Sequence, residues 1–220
     1  MKALLFDLEG TLVESSYQQS PETIEGLRRE TRQKLVSLGV PVELLAGLVR
    51  SYALRNVAYQ WAEDNLSVEQ VAWLRAEMEA FMAPYDMVSA RRTVLYPDTL
   101  SALNRLLDEG VAMGVVTNTS AAAAEYILTN LGLRSFFGAV ATRSDVPRLK
   151  PDPAIIYLAE SRLGVEVGWL VGDASFDSEA ARNAGLISII LGRDGRRPDF
   201  DHDFFIRSLE EAPSIIFRHS

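Results

Sequence analysis

Cysteine is absent from the 220 residues, which excludes disulfides and thiolate metal sites. Histidine is scarce: His202 and His219 both lie near the C-terminal end, poor material for a His-rich metal site or a catalytic triad. Lysine occurs only as Lys2, Lys34 and Lys150, so arginine carries most of the positive charge. No uninterrupted apolar run is long enough to span a bilayer. The first residues lack the basic region and long apolar stretch of a secretory signal. Positive charge is in deficit overall: the formal net charge is −8 and the pI is near 4.9, which weighs against unspecific nucleic-acid binding and anionic membrane surfaces. Repeats and low-complexity segments are missing too. The expectation is a cytoplasmic protein without nucleic-acid or membrane partners, either a monomer or a homodimer.

What is present suffices for a real core. The hydrophobic fraction is 48%, ordinary for a globular chain, and the length fits one domain or one domain with a modest insertion. The stretch Ala3-Leu4-Leu5-Phe6-Asp7-Leu8-Glu9-Gly10-Thr11-Leu12 sets the plan. An apolar run of strand length stops at an acid and a glycine, the pattern of a buried strand with a carboxylate at its C-terminal end. Taken alone, Asp7 reads equally well as a helix cap.

From about Ser20 to Met82 the pattern is helical. Ser20-Pro21-Glu22 marks a start, with Ser as cap and Pro in first position, and Ile24, Leu27, Thr31, Leu35 and Leu38 keep helical spacing up to Gly39. A second helix is expected over roughly 42–61, and a third from near Ser67 through Val71, Leu74, Met78 and Phe81. Residues 15–90 therefore read as a small all-helical domain inserted after the first strand, with residues 1–14 and 91–220 forming the core. Beyond it, apolar runs at 111–116, 136–141, 168–171 and 186–191 alternate with helical stretches, starting with the stripe Leu100, Leu103, Leu106, Leu107. That alternation predicts an α/β core: a Rossmann-like parallel sheet with helices on both faces.

Three predicted strands end in polar residues: Asp7, then Thr117-Asn118, then Gly172-Asp173 with Asp177 just beyond. A parallel sheet brings such ends to one edge, where ligands bind. The loop Arg143-Ser144-Asp145-Val146-Pro147-Arg148-Leu149-Lys150-Pro151-Asp152-Pro153 could bring an ammonium to the same place. Clustered carboxylates repel one another and call for a cation, and an all-oxygen set suits Mg²⁺. A hydroxyl, helix N–H groups and an ammonium suit an anion. Together they describe nucleophilic phosphoryl transfer. Each residue also has a plainer use. Lys150 could be a solvated loop charge, Thr117 a turn or N-cap residue, Asp173 a turn residue and Asp177 a first-turn helix acid. Arg28, Arg29 and Arg32 read as a solvated helix face, and Tyr52, Tyr59, Trp61 and Trp73 as the core of the inserted domain.

On these motifs the chain resembles the haloacid dehalogenase superfamily, and within it the phosphatases with a helical cap. Phe6-Asp7-Leu8-Glu9-Gly10-Thr11, Val115-Val116-Thr117-Asn118, Lys150-Pro151-Asp152-Pro153 and Val171-Gly172-Asp173-Ala174-Ser175-Phe176-Asp177 resemble its four motifs in order. The resemblance spans almost the whole chain and includes the cap's position between the first two motifs. It implies a Mg²⁺-dependent phosphatase acting on a small phosphorylated metabolite, phosphoglycolate-like or a sugar phosphate. Asp7 would be the nucleophile that forms an aspartyl-phosphate. Asp7, the backbone carbonyl of Glu9 and Asp173 would hold the metal, with Asp177 as an outer or water-mediated ligand, and Thr117 and Lys150, with Asn118 beside them, would bind the phosphoryl group. Glu9 departs from the pattern, since the phosphatases normally carry Asp there as proton donor and activator of water. Glu has the same acid–base chemistry on a side chain one methylene longer. A metal- and phosphate-binding relative with little turnover is thus an alternative. A haloacid dehalogenase proper is another, weakened by Gly172-Asp173, which that branch lacks. A hydrolase using a cap lysine as Schiff-base partner would have only Lys34 to employ.

Overall fold

A computed structural model of the chain describes residues 2–14 and 21–219, the side chains of 21–23 excepted. Its centre is strand β1, Ala3–Phe6, every residue of which is buried. Strand β4, Met113–Thr117, pairs with it on one side and β6, Val167–Gly172, on the other. Strands β5 (Ala139–Thr142), β7 (Ile187–Leu191) and β8 (Phe204–Ile206) complete a sheet of order β5-β4-β1-β6-β7-β8. Each of its pairings is parallel. The chain winds from β1 outward to β5 and then returns to β1's other flank. The switch point, where such sheets open a crevice, therefore falls at the end of β1.

Side-chain alternation along β1 explains the two helical layers. Leu4 and Phe6 join the cluster containing Leu103 and Leu106 of α4 (Thr99–Asp108), Ala123 and Ile127 of α5 (Ala121–Asn130), and Ile216 of α8 (Ala212–His219). Ala3 and Leu5 face the opposite way, onto Ile155, Ile156 and Ala159 of α6 (Ala154–Leu163) and Ala180 and Ala181 of α7 (Ser175–Asn183). A continuous apolar run, rather than an alternating one, is what a strand covered on both faces needs.

The inserted helices are α1 (Pro21–Ser37), α2 (Ser51–Asn65) and α3 (Val68–Ala90). They build a separate core from Leu35, Leu54, Ala58, Leu74, Met78 and Met82, and that core takes in Leu149 from the 143–153 loop. Pro21 opens α1 as expected; Ser20, the expected cap, lies outside the described residues. Ser67 caps α3 through a capping box: its hydroxyl accepts from the Gln70 N–H, and the Gln70 side chain accepts from the Ser67 N–H. An antiparallel ribbon, β2 (Val13–Glu14) with β3 (Val94–Leu95), ties the two points where the chain leaves and re-enters the core.

Several expected elements differ in detail. The second helix begins at Ser51, not near residue 42, because a single 3-10 turn at Val42–Leu45 is followed by Gly47 at φ +72°. Helix α3 runs on to Ala90 with Pro84 inside it, although proline usually stops a helix. The third apolar run, 136–141, becomes strand only from residue 139, where β5 begins; a short turn at Arg134–Phe136 leads into it. Leu100 and Leu107 of the α4 stripe are exposed, while Thr99 and Ala102 take inner positions. Trp73 is 54% exposed and is not part of the cap core; Tyr59 is. Of the three cap arginines only Arg29 is exposed: Arg28 pairs with Glu25, and Arg32 donates to the Leu48 carbonyl. Strand β8 had no sequence expectation. Among the described residues no helix is long and apolar enough to cross a membrane.

Candidate active site

Because β1, β4 and β6 are parallel neighbours, Asp7, Thr117 and Gly172-Asp173 emerge side by side. The Asp7 N–H continues the ladder, donating to Val171 O at 2.8 Å. Lys150 is no solvated loop charge: it is fully buried, and its Nζ donates to Asp7 Oδ1 at 2.7 Å, Asp177 Oδ1 at 2.6 Å and Val116 O at 3.0 Å. All three ammonium donors are thereby used. Burial, partly countered by Lys150 and reinforced by Asp177, pushes the Asp7 carboxyl up to about 7. The two buried carboxylates hold the Lys150 ammonium above its ordinary value in spite of burial.

Asp177 is also fully buried, and its second oxygen accepts from the N–H groups of Asp173 and Ala174. It therefore organises the turn after β6 as well as Lys150. The turn is packed so closely that a Cβ on Gly172 would lie 2.4 Å from Asp177 Cβ. Gly10, at φ +92°, is required twice over: its backbone is left-handed, and a Cβ there would lie 2.3 Å from an Asp173 carboxylate oxygen. Among the described residues Asp7, Asp173 and Asp177 offer carboxylate oxygens within 4.8 Å of one another. Three carboxylates against one ammonium leave an excess of negative charge, and an all-oxygen donor set fits a hard divalent cation.

The Glu9 side chain stands apart from that trio. It accepts from the Thr119 hydroxyl on Oε2 and from the Ser89 hydroxyl on Oε1 at 3.2 Å. Burial raises its pKa, with a smaller push from Asp86, against the hydrogen bonds and Arg143, which lower it. Its carboxyl thus holds a proton at higher pH than an exposed glutamate would.

Thr117 is buried at the end of β4, and its hydroxyl accepts from the Thr119 N–H at 3.2 Å. It is a strand residue whose side chain braces the turn that follows, and the cap of α5 is Ser120. Asn118 grips the Lys150 backbone: its Oδ1 accepts from Lys150 N at 2.9 Å and its Nδ2 donates to Lys150 O at 3.3 Å. Asn56 of α2 does the same to Leu149, at 2.9 Å and 2.8 Å. The loop carrying Lys150 is thereby held from the core on one side and from the cap helix on the other.

A cavity of about 280 Å³ lies between cap and core. Asp7, Glu9, Thr117, Asn118 and Thr119 line its core side, and Ile24, Leu27, Arg55, Met82 and Asp86 line its cap side. Phe176 and Arg143 also reach it. Phe176 meets Tyr52 edge-on at 5.2 Å and Lys150 Nζ at 5.4 Å. Arg143 is buried and bridges to the cap, pairing with Glu79 at 2.8 Å and with Asp86; these two acids hold its pKa above the ordinary range. Lys34 does not line this cavity and is paired with Glu77 at 2.8 Å.

Sequence reasoning passed over Arg55, Asp86, Ser89, Thr119 and Arg143. Two of them left a signal. Asp86 continues the stripe Met78, Met82, and Arg55 sits between Leu54 and Ala58 on the buried face of α2. A charge on an apolar helical stripe is a buried charge in need of a partner. Ser89 gave no such signal, because nothing local announces that α3 continues past Pro84 to Glu9.

A family model described as haloacid dehalogenase-like hydrolase matches residues 1–185. The chain is 32% identical over 230 residues to phosphoglycolate phosphatase of Cereibacter sphaeroides, covering 99% of both chains. It is 30% identical over 215 residues to phosphoglycolate phosphatase of Salmonella typhimurium, covering 87% of this chain and 81% of that one. Among solved structures, a HAD phosphatase from Thermococcus onnurineus is similar, with 28% identity, 98% coverage of both chains and a TM-score of 0.62.

Proposed function

The chain belongs to the haloacid dehalogenase-like hydrolases, and from that premise we propose that it is a Mg²⁺-dependent phosphatase cleaving a small phosphate monoester through an aspartyl-phosphate on Asp7. One observation carries the proposal. A fully buried ammonium, Lys150, is pinned between Asp7 and Asp177 at the sheet edge where Thr117 and Asp173 also emerge. A buried ion pair is weak evidence for stability by itself, since well-packed apolar residues often serve as well. A phosphoryl group has need of it.

In this proposal an Asp7 oxygen attacks phosphorus while the bond to the leaving oxygen breaks. Charge leaves Asp7 for the phosphoryl oxygens, and Lys150 follows it, exchanging its bond to Asp7 for one to the phosphoryl group. Thr117 offers its hydroxyl to the same group. Glu9, whose pKa burial raises, gives a proton to the leaving oxygen. It then takes a proton from the water that attacks the phosphoenzyme, which restores Asp7. Mg²⁺ would be held by Asp7, Asp173 and the backbone carbonyl of Glu9, with Asp177 outside them, and would supply positive charge against the repulsion between nucleophile and substrate. The cap, residues 15–90, would close over the core, residues 1–14 and 91–220, and exclude water. A cytoplasmic place of action belongs to the same proposal.

A second reading is favoured by the grip on Glu9. Both of its oxygens take hydroxyl donors, so a protein that binds metal and phosphate with little turnover is its competitor. The deciding experiment is phosphate release from p-nitrophenyl phosphate and a panel of small esters, with Mg²⁺ and with EDTA, in the native chain, Glu9→Asp and Asp7→Asn. Mg²⁺-dependent release by the native chain, abolished in Asp7→Asn, is expected. Release confined to Glu9→Asp would transfer the native chain to the second reading.

A further inference from the structure

Glu9 is held from the core and from the cap at once. Its Oε2 is bonded to the hydroxyl of Thr119, which follows β4. Its Oε1 accepts at 3.2 Å from the hydroxyl of Ser89, in the last turn of α3. Both hydroxyl residues are buried, but they stand differently to the cavity between cap and core. Thr119 lines it together with Glu9, and Ser89 does not. The two bonds therefore orient the carboxyl: Oε1 toward the cap helix, Oε2 toward Thr119 and the cavity. Asp86, one turn before Ser89 on α3, is paired with Arg143 and as an acid repels Glu9. The hold that the cap exerts on Glu9 thus comes from Ser89.

The length of the acid bears on the same contact. At 3.2 Å the bond from Ser89 is already at the long end of the hydrogen-bond range. An aspartate at position 9, shorter by one methylene, would draw the carboxyl away from α3 and lose it. The residue that departs from the family pattern is thereby matched to a hydroxyl on the cap. Donor and acceptor roles fit as well. The Ser89 hydroxyl can donate to Oε1 whether Glu9 is neutral or ionised, and the Thr119 hydroxyl can accept a hydrogen bond as well as donate one. Oε2 can therefore carry a proton and keep its bond to Thr119.

We propose that Ser89 is the positioning residue for the proton donor: by fixing Oε1 it leaves Oε2, beside Thr119, as the atom that delivers the proton to the leaving group. This rests on the phosphatase reading of the site, and the test separates the two. As the bond from phosphorus to the leaving oxygen breaks, its electron pair stays on that oxygen, which takes the proton from Oε2. Glu9 is left as a carboxylate with a hydroxyl donor on each oxygen. Because Ser89 belongs to the cap, the donor is aimed only while the last turn of α3 lies against the core.

The leaving group distinguishes aiming from folding. p-Nitrophenolate departs readily without a proton, whereas the alkoxide of 2-hydroxyethyl phosphate needs one. Native chain, Ser89→Ala and Ser89→Thr are assayed for kcat/KM on both esters with Mg²⁺. In Ser89→Ala the value for the alkyl ester should fall about 10- to 100-fold, the loss that follows a misplacement of about 1 Å, and the value for p-nitrophenyl phosphate far less. Ser89→Thr keeps the hydroxyl and should recover part of the loss. Equal losses on both esters, no loss on either, or a Ser89→Thr no better than Ser89→Ala would each overturn the assignment. Urea unfolding in EDTA tests the contact without turnover. The drop in midpoint caused by Ser89→Ala should be largely absent in a Glu9→Leu background, where the hydroxyl has lost its acceptor. If the native chain hydrolyses neither ester, the phosphatase reading has failed, and the unfolding cycle still decides for Ser89: coupled shifts keep it as the anchor of Glu9, and additive shifts remove it.

Discussion

Lys150 and Asp177 are both completely shielded from solvent, and their charged atoms lie 2.6 Å apart, with Asp7 on the ammonium's other side. Removing the ammonium strands two carboxylates. Lys150→Met should therefore cost about 3–5 kcal/mol of stability, the range for breaking a buried pair by deleting one partner. Urea unfolding in EDTA at pH 8 measures it, and a loss below about 1 kcal/mol would place the pair in the class of exposed ion pairs.

The raised pKa of Asp7 fixes the sign of a pH effect. Its folded value, about 7, lies above the ordinary 3.8, so the folded state binds the extra proton between those values. Stability of the metal-free protein is complete below the unfolded value and falls as pH rises toward about 7, by on the order of 2–4 kcal/mol. Glu9, also raised by burial, adds a slope of the same sign. Denaturant midpoints at pH 4.5 to 8 in EDTA should shift downward, less steeply in Asp7→Asn. Mg²⁺ should restore more stability at pH 8 than at pH 5, because it favours the ionised carboxylate. An identical slope in Asp7→Asn would assign the effect to other groups.

Glu9→Gln keeps an acceptor for one hydroxyl but has no proton to give. We expect kcat to fall by about 10²- to 10⁴-fold, the usual worth of a positioned general acid–base, while binding of the metal to the remaining carboxylates persists. Steady-state kinetics with calorimetric Mg²⁺ titration separate these effects. Unchanged kcat would mean that another group, or water, moves the proton.

Arg143 joins the β5 end of the core to the cap helix α3 through Asp86. The single variants Arg143→Met and Asp86→Leu should each destabilise, by about 3–5 kcal/mol, and the double variant by clearly less than their sum. The same cycle run on kcat/KM should show a pairwise term too, because Asp86 also acts on Glu9. Additive stability losses would show that the two residues act independently.

The parallel sheet was legible because its strands are unbroken apolar runs ending in polar residues, and buried strands have few other ways to be written. Asp7, Thr117 and Asp173 were legible because they follow or end those strands, Lys150 because it sits in one proline-marked loop, and Asp177 because it lies in the first helical turn just beyond Asp173. The ribbon of Val13–Glu14 with Val94–Leu95 was not, since two residues carry no period and their partners, Leu95 and Val94, are far along the chain. The start of α2 was misplaced because Leu44, Leu45 and Leu48 prolong the helical spacing through a turn that Gly47 closes. Trp73 was misjudged because residue type alone does not say which face of α3 it occupies. Arg55, Ser89 and Thr119 depend on contacts between distant elements, which spacing within one element does not encode.

The ribbon has an evolutionary corollary. Strands β2 and β3 run antiparallel and side by side, so the chain departs from the sheet and rejoins it at nearly the same point. Everything between those two strands is spliced in at one locus, like a cassette whose two leads share a socket. A lineage can exchange or enlarge that segment without disturbing the registry of the six parallel strands. New chemistry at the mouth of the cavity can thus be sampled while Asp7 and Lys150 stay where they are.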